Sequence, residues 1–138
     1  MSNPIKILTA TLLLCLCFAA CKHAPAVEGI YKMTGGDIGF SKGSYLSVNK
    51  VGVDYEVSVH DPSDNATYTW TANKQGDKLC WTDKSIPMDI SFDDKYATLK
   101  TADGVMGQYR FEKVAPGEEK QIRASLNNAK TGRIKDSI

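Results

Sequence analysis

The chain has 138 residues, 42% hydrophobic, 24% charged and 9% aromatic, with a formal net charge of +1. That length suits one domain with a real core, and low net charge with many aromatic and β-branched residues excludes wholesale disorder. With 17 basic and 16 acidic residues there is no basic footprint for nucleic acid, and without repeats or a second long apolar run the collagen-like, coiled-coil and polytopic membrane classes are excluded.

The first predicted element is an address. Lys6 precedes an apolar run from Ile7 to Phe18, which is too short for an ordinary membrane-spanning helix and has the layout of a secretory signal. The run ends in Phe18-Ala19-Ala20-Cys21, which resembles a bacterial lipobox, with Phe18 where Leu is usual. The resemblance implies cleavage before Cys21, lipidation of its thiol, and a mature chain of 118 residues (138 minus 20). A single acyl chain binds a membrane only marginally, so the multiple chains implied at Cys21 would make a stable anchor. Lys22 follows the lipidated residue in place of Asp, which in a Gram-negative host implies transfer to the outer membrane. The expected organisation is a signal peptide over 1–20, a lipidated tether over 21–27, a β-barrel domain over 28–113, and a C-terminal helix and tail over 114–138.

From residue 28 onward the pattern has period two. Tyr55, Val57 and Val59 alternate with Glu56, Ser58 and His60, and Met88, Ile90 and Phe92 alternate with Asp89, Ser91 and Asp93. Thr67, Thr69 and Thr71 oppose Tyr68 and Trp70. One apolar and one polar face per strand indicate an antiparallel sheet. Eight strands are predicted, near 28–34, 44–51, 54–60, 66–72, 78–83, 87–92, 95–101 and 105–113. Between them stand turn residues: Gly52, Asp61-Pro62-Ser63-Asp64-Asn65, Gln75-Gly76-Asp77, Asp93-Asp94 and Ala102-Asp103-Gly104. Connections this short make hairpins, so the expected all-β fold is an eight-stranded meander, closed as a barrel or open as a sandwich. Tyr55, Tyr68, Trp70, Trp81, Phe92 and Phe111 are the candidates to fill its core or to line a ligand site.

Gly29-Ile30-Tyr31 opens the first strand and Arg110 stands in the last, in Tyr109-Arg110-Phe111. This resembles the lipocalin closure, in which a G-x-W aromatic plugs one barrel end and an arginine of the final strand packs across it, here with Tyr for Trp. The resemblance implies barrel closure by Gly29, Tyr31 and Arg110, with the guanidinium over the Tyr31 ring. It also implies, as one possibility, carriage of a small apolar ligand.

After Pro116 the alternation stops. Ile122, Leu126 and Ala129 recur at helical spacing, Glu118 and Glu119 stand early, and Lys130 and Arg133 flank Gly132 late, a concordant set of helix signals.

Catalytic and metal-binding patterns are absent from the sequence. There is no nucleophile elbow, zinc-protease motif, P-loop or EF-hand loop. Cys15 and Cys17 leave with the signal, so Cys80 remains without a disulfide partner and is expected to be a buried, inert thiol. His60, Asp61 and Asp64 suit a polar hairpin loop better than an acid/base or metal cluster. Gly35-Gly36-Asp37-Ile38-Gly39 suits a hairpin loop better than a phosphate loop, and Met33, Met88 and Met106 suit packing better than copper. No metal or cofactor is expected. The expectation is a lipid-anchored envelope protein that binds without catalysis. It would serve as an inhibitor, an immunity protein or a component of an envelope complex. Carriage of a small apolar ligand is the alternative, and an envelope hydrolase using His60 is a distant third.

Overall fold

The computed structural model describes residues 25–37, 39–83, 88–101 and 107–135, with side chains as far as Asn127. The lipobox and Cys21 lie outside the described residues, as does Met106. The described chain forms eight strands and one helix: β1 (Gly29–Gly36), β2 (Tyr45–Val51), β3 (Asp54–Asp61), β4 (Ala66–Gln75), β5 (Lys78–Trp81), β6 (Met88–Phe92), β7 (Tyr96–Thr101), β8 (Gln108–Lys113) and α1 (Pro116–Lys135). Each strand pairs antiparallel with the next, and β8 returns to β1, so the sheet closes as a meander barrel. Closure removes the free edges that an open sandwich would expose. The seam is irregular: β1 shifts register against β8 between Met33 and Gly35. Gly35 and Gly36, expected in a hairpin loop, instead extend β1 opposite Arg110 and Tyr109. A Cβ at Gly36 would meet the Tyr109 ring at 2.5 Å, so the close approach of this seam requires glycine there.

Directly paired residues share a face, and the registers therefore assign the interior. Leu46 pairs Val59, Val59 pairs Tyr68, Val57 pairs Trp70 and Tyr55 pairs Ala72. Leu46, Tyr55, Val57, Val59 and Ala72 join Leu79, Ile90, Leu99 and Phe111 in one apolar cluster, with Trp70 packed against it. Val27, just before β1 and placed by sequence in the tether, is also buried in that cluster.

The helix lies on the outside. Ile30 points away from the interior yet is fully buried, and Ile122 is buried on α1; neither belongs to the barrel cluster. Arg123 donates to Asn49 Oδ1 at 2.8 Å and pairs with Glu119, which ties α1 to β2.

Candidate functional site

The two barrel ends differ. At one end lie the start of β1, the hairpins β2–β3, β4–β5 and β6–β7, and the end of β8. Tyr31 stoppers this end. Its hydroxyl donates to the Val27 carbonyl at 2.9 Å, and its ring packs on Phe92 at 5.9 Å between centroids. Burial, with the nearby Glu119 carboxylate, pushes the Tyr31 phenol up to about 12. Lys113 Nζ donates to the Ala26 carbonyl at 3.0 Å, so the chain entering the barrel is pinned here twice.

The opposite end, the mouth, is lined by rings in series. Tyr109 meets Phe40 at 5.0 Å, Phe40 meets Tyr68 at 6.1 Å, Tyr68 stacks on Trp70 at 6.2 Å and 18°, and Trp70 meets Trp81 at 5.5 Å. The interior end of the series is buried, Trp81 being 6% exposed, whereas Tyr68 is 43% exposed. Phe40 and Trp70 are half-buried. Among the described residues the buried Trp81 Nε1 has no hydrogen-bond partner, an arrangement that leaves the desolvation of a donor uncompensated.

Phe40 comes from the β1–β2 connection, which crosses the mouth and is fastened on both sides. The Asp37 amide donates to the Gln108 carbonyl at 3.2 Å, and the Asp37 carboxylate accepts from Gln108 N at 2.9 Å. On the other side Asp61, buried at the end of β3, accepts from the amide and hydroxyl of Ser41 and from the amide and hydroxyl of Ser63. Burial works to raise the Asp61 carboxyl, but these four donors outweigh it and hold the group well below the usual carboxylate range. A side chain at Gly39 would run into Tyr109 Oη, so this loop can lie flat only with glycine there.

On the rim, Asp64 accepts from Ala66 N at 2.9 Å and from the Tyr68 hydroxyl at 3.3 Å. The charge of Asp64 and that hydrogen bond raise the Tyr68 phenol, so it remains a protonated donor at neutral pH. His60 Nδ1 pairs with Thr67 Oγ1 at 2.9 Å. His60, Asp61 and Asp64 thus serve the β3–β4 hairpin and its neighbours. Among the described residues no group of three His, Cys, Asp or Glu side chains is placed to hold a metal.

The six aromatic candidates divide by position. Tyr55, Phe92, Phe111 and Trp81 are buried within the barrel cluster, while Tyr68 and Trp70 belong to the mouth. Two placements correct the sequence-based expectation. Arg110 does not lie over Tyr31: it faces outward and stacks on Tyr96, 3.8 Å from that ring's centroid. With Tyr109 and Phe111 inside, strand alternation sends Arg110 to the other face. The cation over Tyr31 is Lys113, at 5.6 Å, on the same face and directly across the seam. Cys80 is half-buried rather than buried, because inward Leu79 and Trp81 turn it outward.

The sequence reading does not place Phe40, Tyr109 or Lys113 at the site, and it gives Asp61 only to its hairpin loop, without the bonds to Ser41 that fasten the mouth. Alternation from Phe111 would have found Tyr109 and Lys113. No sequence signal places Phe40, whose position depends on how its loop is fastened. The fold and its mouth therefore define a small eight-stranded meander barrel, stoppered at one end and lined by partly exposed aromatic rings at the other. Set against protein-family models, curated proteins and solved structures, the chain matches none.

Proposed function

We propose that this chain is a bacterial envelope lipoprotein, anchored through Cys21, whose barrel is a non-catalytic protein-binding module. The observation that carries the reading is the aromatic mouth, which stands at the barrel end opposite the one the tether enters. An anchor at Cys21 would direct the stoppered end to the membrane and present Tyr68, Phe40 and Trp70 to the space beyond it. Partly exposed Tyr and Trp rings offer large apolar area with polar tips and little side-chain entropy to lose, the usual composition of binding anchors. The barrel interior is occupied by its own side chains, which favours recognition at the mouth over carriage of an apolar molecule along the axis. Lys22 beside the acylated position supports outer-membrane placement, facing the periplasm.

One observation favours a second reading. The unpartnered N–H of Trp81 would be satisfied by a small amphipathic ligand that brings a hydrogen-bond acceptor in past Trp70. Fatty-acid labelling in the host, abolished by Cys21→Ala, tests the anchor; unlabelled wild-type protein would refute it. Capture from envelope extract by wild-type protein, lost in Tyr68→Ser, supports a protein partner. A small mass retained in native mass spectrometry and lost in Trp81→Phe would replace that reading with ligand carriage.

A further inference from the structure

Tyr68 is one of three large apolar side chains that stand exposed among the described residues, and the other two share a single turn. Val51 is 59% exposed and Val53 89% exposed, and they flank Gly52 at the tip of the β2–β3 hairpin. Gly52 has φ 64°, the left-handed conformation that a two-residue hairpin turn requires, so the tip is a tight, defined projection. At such a tip Val53 gains almost nothing from the barrel and Val51 little, and polar residues would serve the turn as well.

Their position gives them a role. Gly29 pairs with Val48, and the hairpin continues past that level to Gly52 and Val53. Four residues of strand, with barrel tilt included, carry the tip roughly 10 Å further along the axis than the start of β1. The tip points from the end where Ala26 and Val27 are pinned by Lys113 and Tyr31. Ala26 lies five residues after Cys21, a length of chain that spans at most about 18 Å. A lipid on Cys21 therefore keeps this end, and the tip that leads from it, close to the bilayer surface.

We propose that Val51 and Val53 form a second, apolar membrane contact that inserts into the interfacial region of the bilayer and orients the barrel. The proposal rests on the anchor at Cys21. Charges in the three hairpins at this end balance, with Lys50, Lys74, Lys78 and Lys95 set against Asp54, Asp77, Asp93 and Asp94, so the contact is apolar and requires no anionic lipid. Two valines bury too little area to hold the protein on a membrane alone; their effect is orientation of a molecule already tethered. With the hairpin seated, the mouth faces away from the lipid.

The test uses the mature lipidated protein reconstituted into phosphatidylcholine vesicles, on a Cys80→Ser background. An environment-sensitive fluorophore is attached at Val53→Cys or, at the mouth end, at exposed Lys42→Cys. The expected result is blue-shifted emission at position 53, quenched by spin-labelled lipid, with position 42 remaining aqueous. Position 53 as aqueous as position 42, on protein that floats with the vesicles, overturns the hairpin contact and leaves the anchor intact. Protein that fails to float overturns both. Insertion that appears only when anionic lipid is added overturns the apolar mechanism.

Discussion

The ammonium of Lys113 lies 5.6 Å from the centre of the Tyr31 ring, directly across the seam where the last strand meets the first. The same ammonium reaches the Ala26 carbonyl, and the Tyr31 hydroxyl reaches that of Val27. One stopper thus joins the barrel seam to the incoming chain. Tyr31→Ala is expected to cost about 3–5 kcal/mol, the usual loss for a large buried aromatic. Tyr31→Phe, which removes only the hydroxyl bond, is expected to cost about 1 kcal/mol. Lys113→Ala combined with Tyr31→Ala should show coupling of roughly 0.5–1 kcal/mol. Arg110→Ala should add independently to Tyr31→Ala, since its ring partner is Tyr96. Urea unfolding of the single and double variants checks all four.

Asp61 links stability to pH. Its folded-state carboxyl is held below its ordinary value by Ser41 and Ser63. The stabilisation is therefore complete above the unfolded pKa of about 4 and is lost as pH falls through the lower folded value. Asp61→Asn should cost about 1–3 kcal/mol at pH 7, because a charged acceptor of four hydrogen bonds is replaced by a neutral one. The variant should also show a flatter melting temperature below pH 4. A wild-type melting temperature that does not fall in that range would contradict the assignment.

The seam glycines predict a contrast. Gly36→Ala places a methyl group 2.5 Å from the Tyr109 ring and 3.2 Å from its backbone, which should cost about 1–3 kcal/mol through overpacking. Gly35→Ala meets nothing within 4 Å and should change stability by less than about 0.5 kcal/mol. Thermal melts of the pair separate a specific steric requirement from a general need for flexible chain.

At the mouth, stability and binding should part company. Trp81→Phe removes apolar area but also an unsatisfied buried donor, so its net cost in the free protein should stay within about 1 kcal/mol. Tyr68→Ser alters an exposed ring and should leave the melting temperature nearly unchanged, while binding of a mouth partner falls at least tenfold by titration calorimetry, as expected of an aromatic anchor losing about 1.4 kcal/mol or more.

Strand number, strand order and the approximate limits of every element were legible in the sequence, because residues alternating every second position and turn residues between them are local properties. The helix was legible for the same reason, from Pro116, its early acids and its 3.6-residue spacing. Inside the strands the same alternation also dictates which way each side chain faces. Phe111 in the core obliges Arg110 to face outward, and Trp81 in the core obliges Cys80 to do so. Closure into a barrel was expected from eight sequential strands, but the register of the seam was not legible, because β1 and β8 join residues some eighty positions apart with a shift between Met33 and Gly35. The mouth also required the tertiary structure. Phe40 reaches Tyr68 and Tyr109 only because Asp61 on β3 and Gln108 on β8 fasten its loop from two sides, and hydrogen bonds between distant strands leave no periodicity in the chain that makes them.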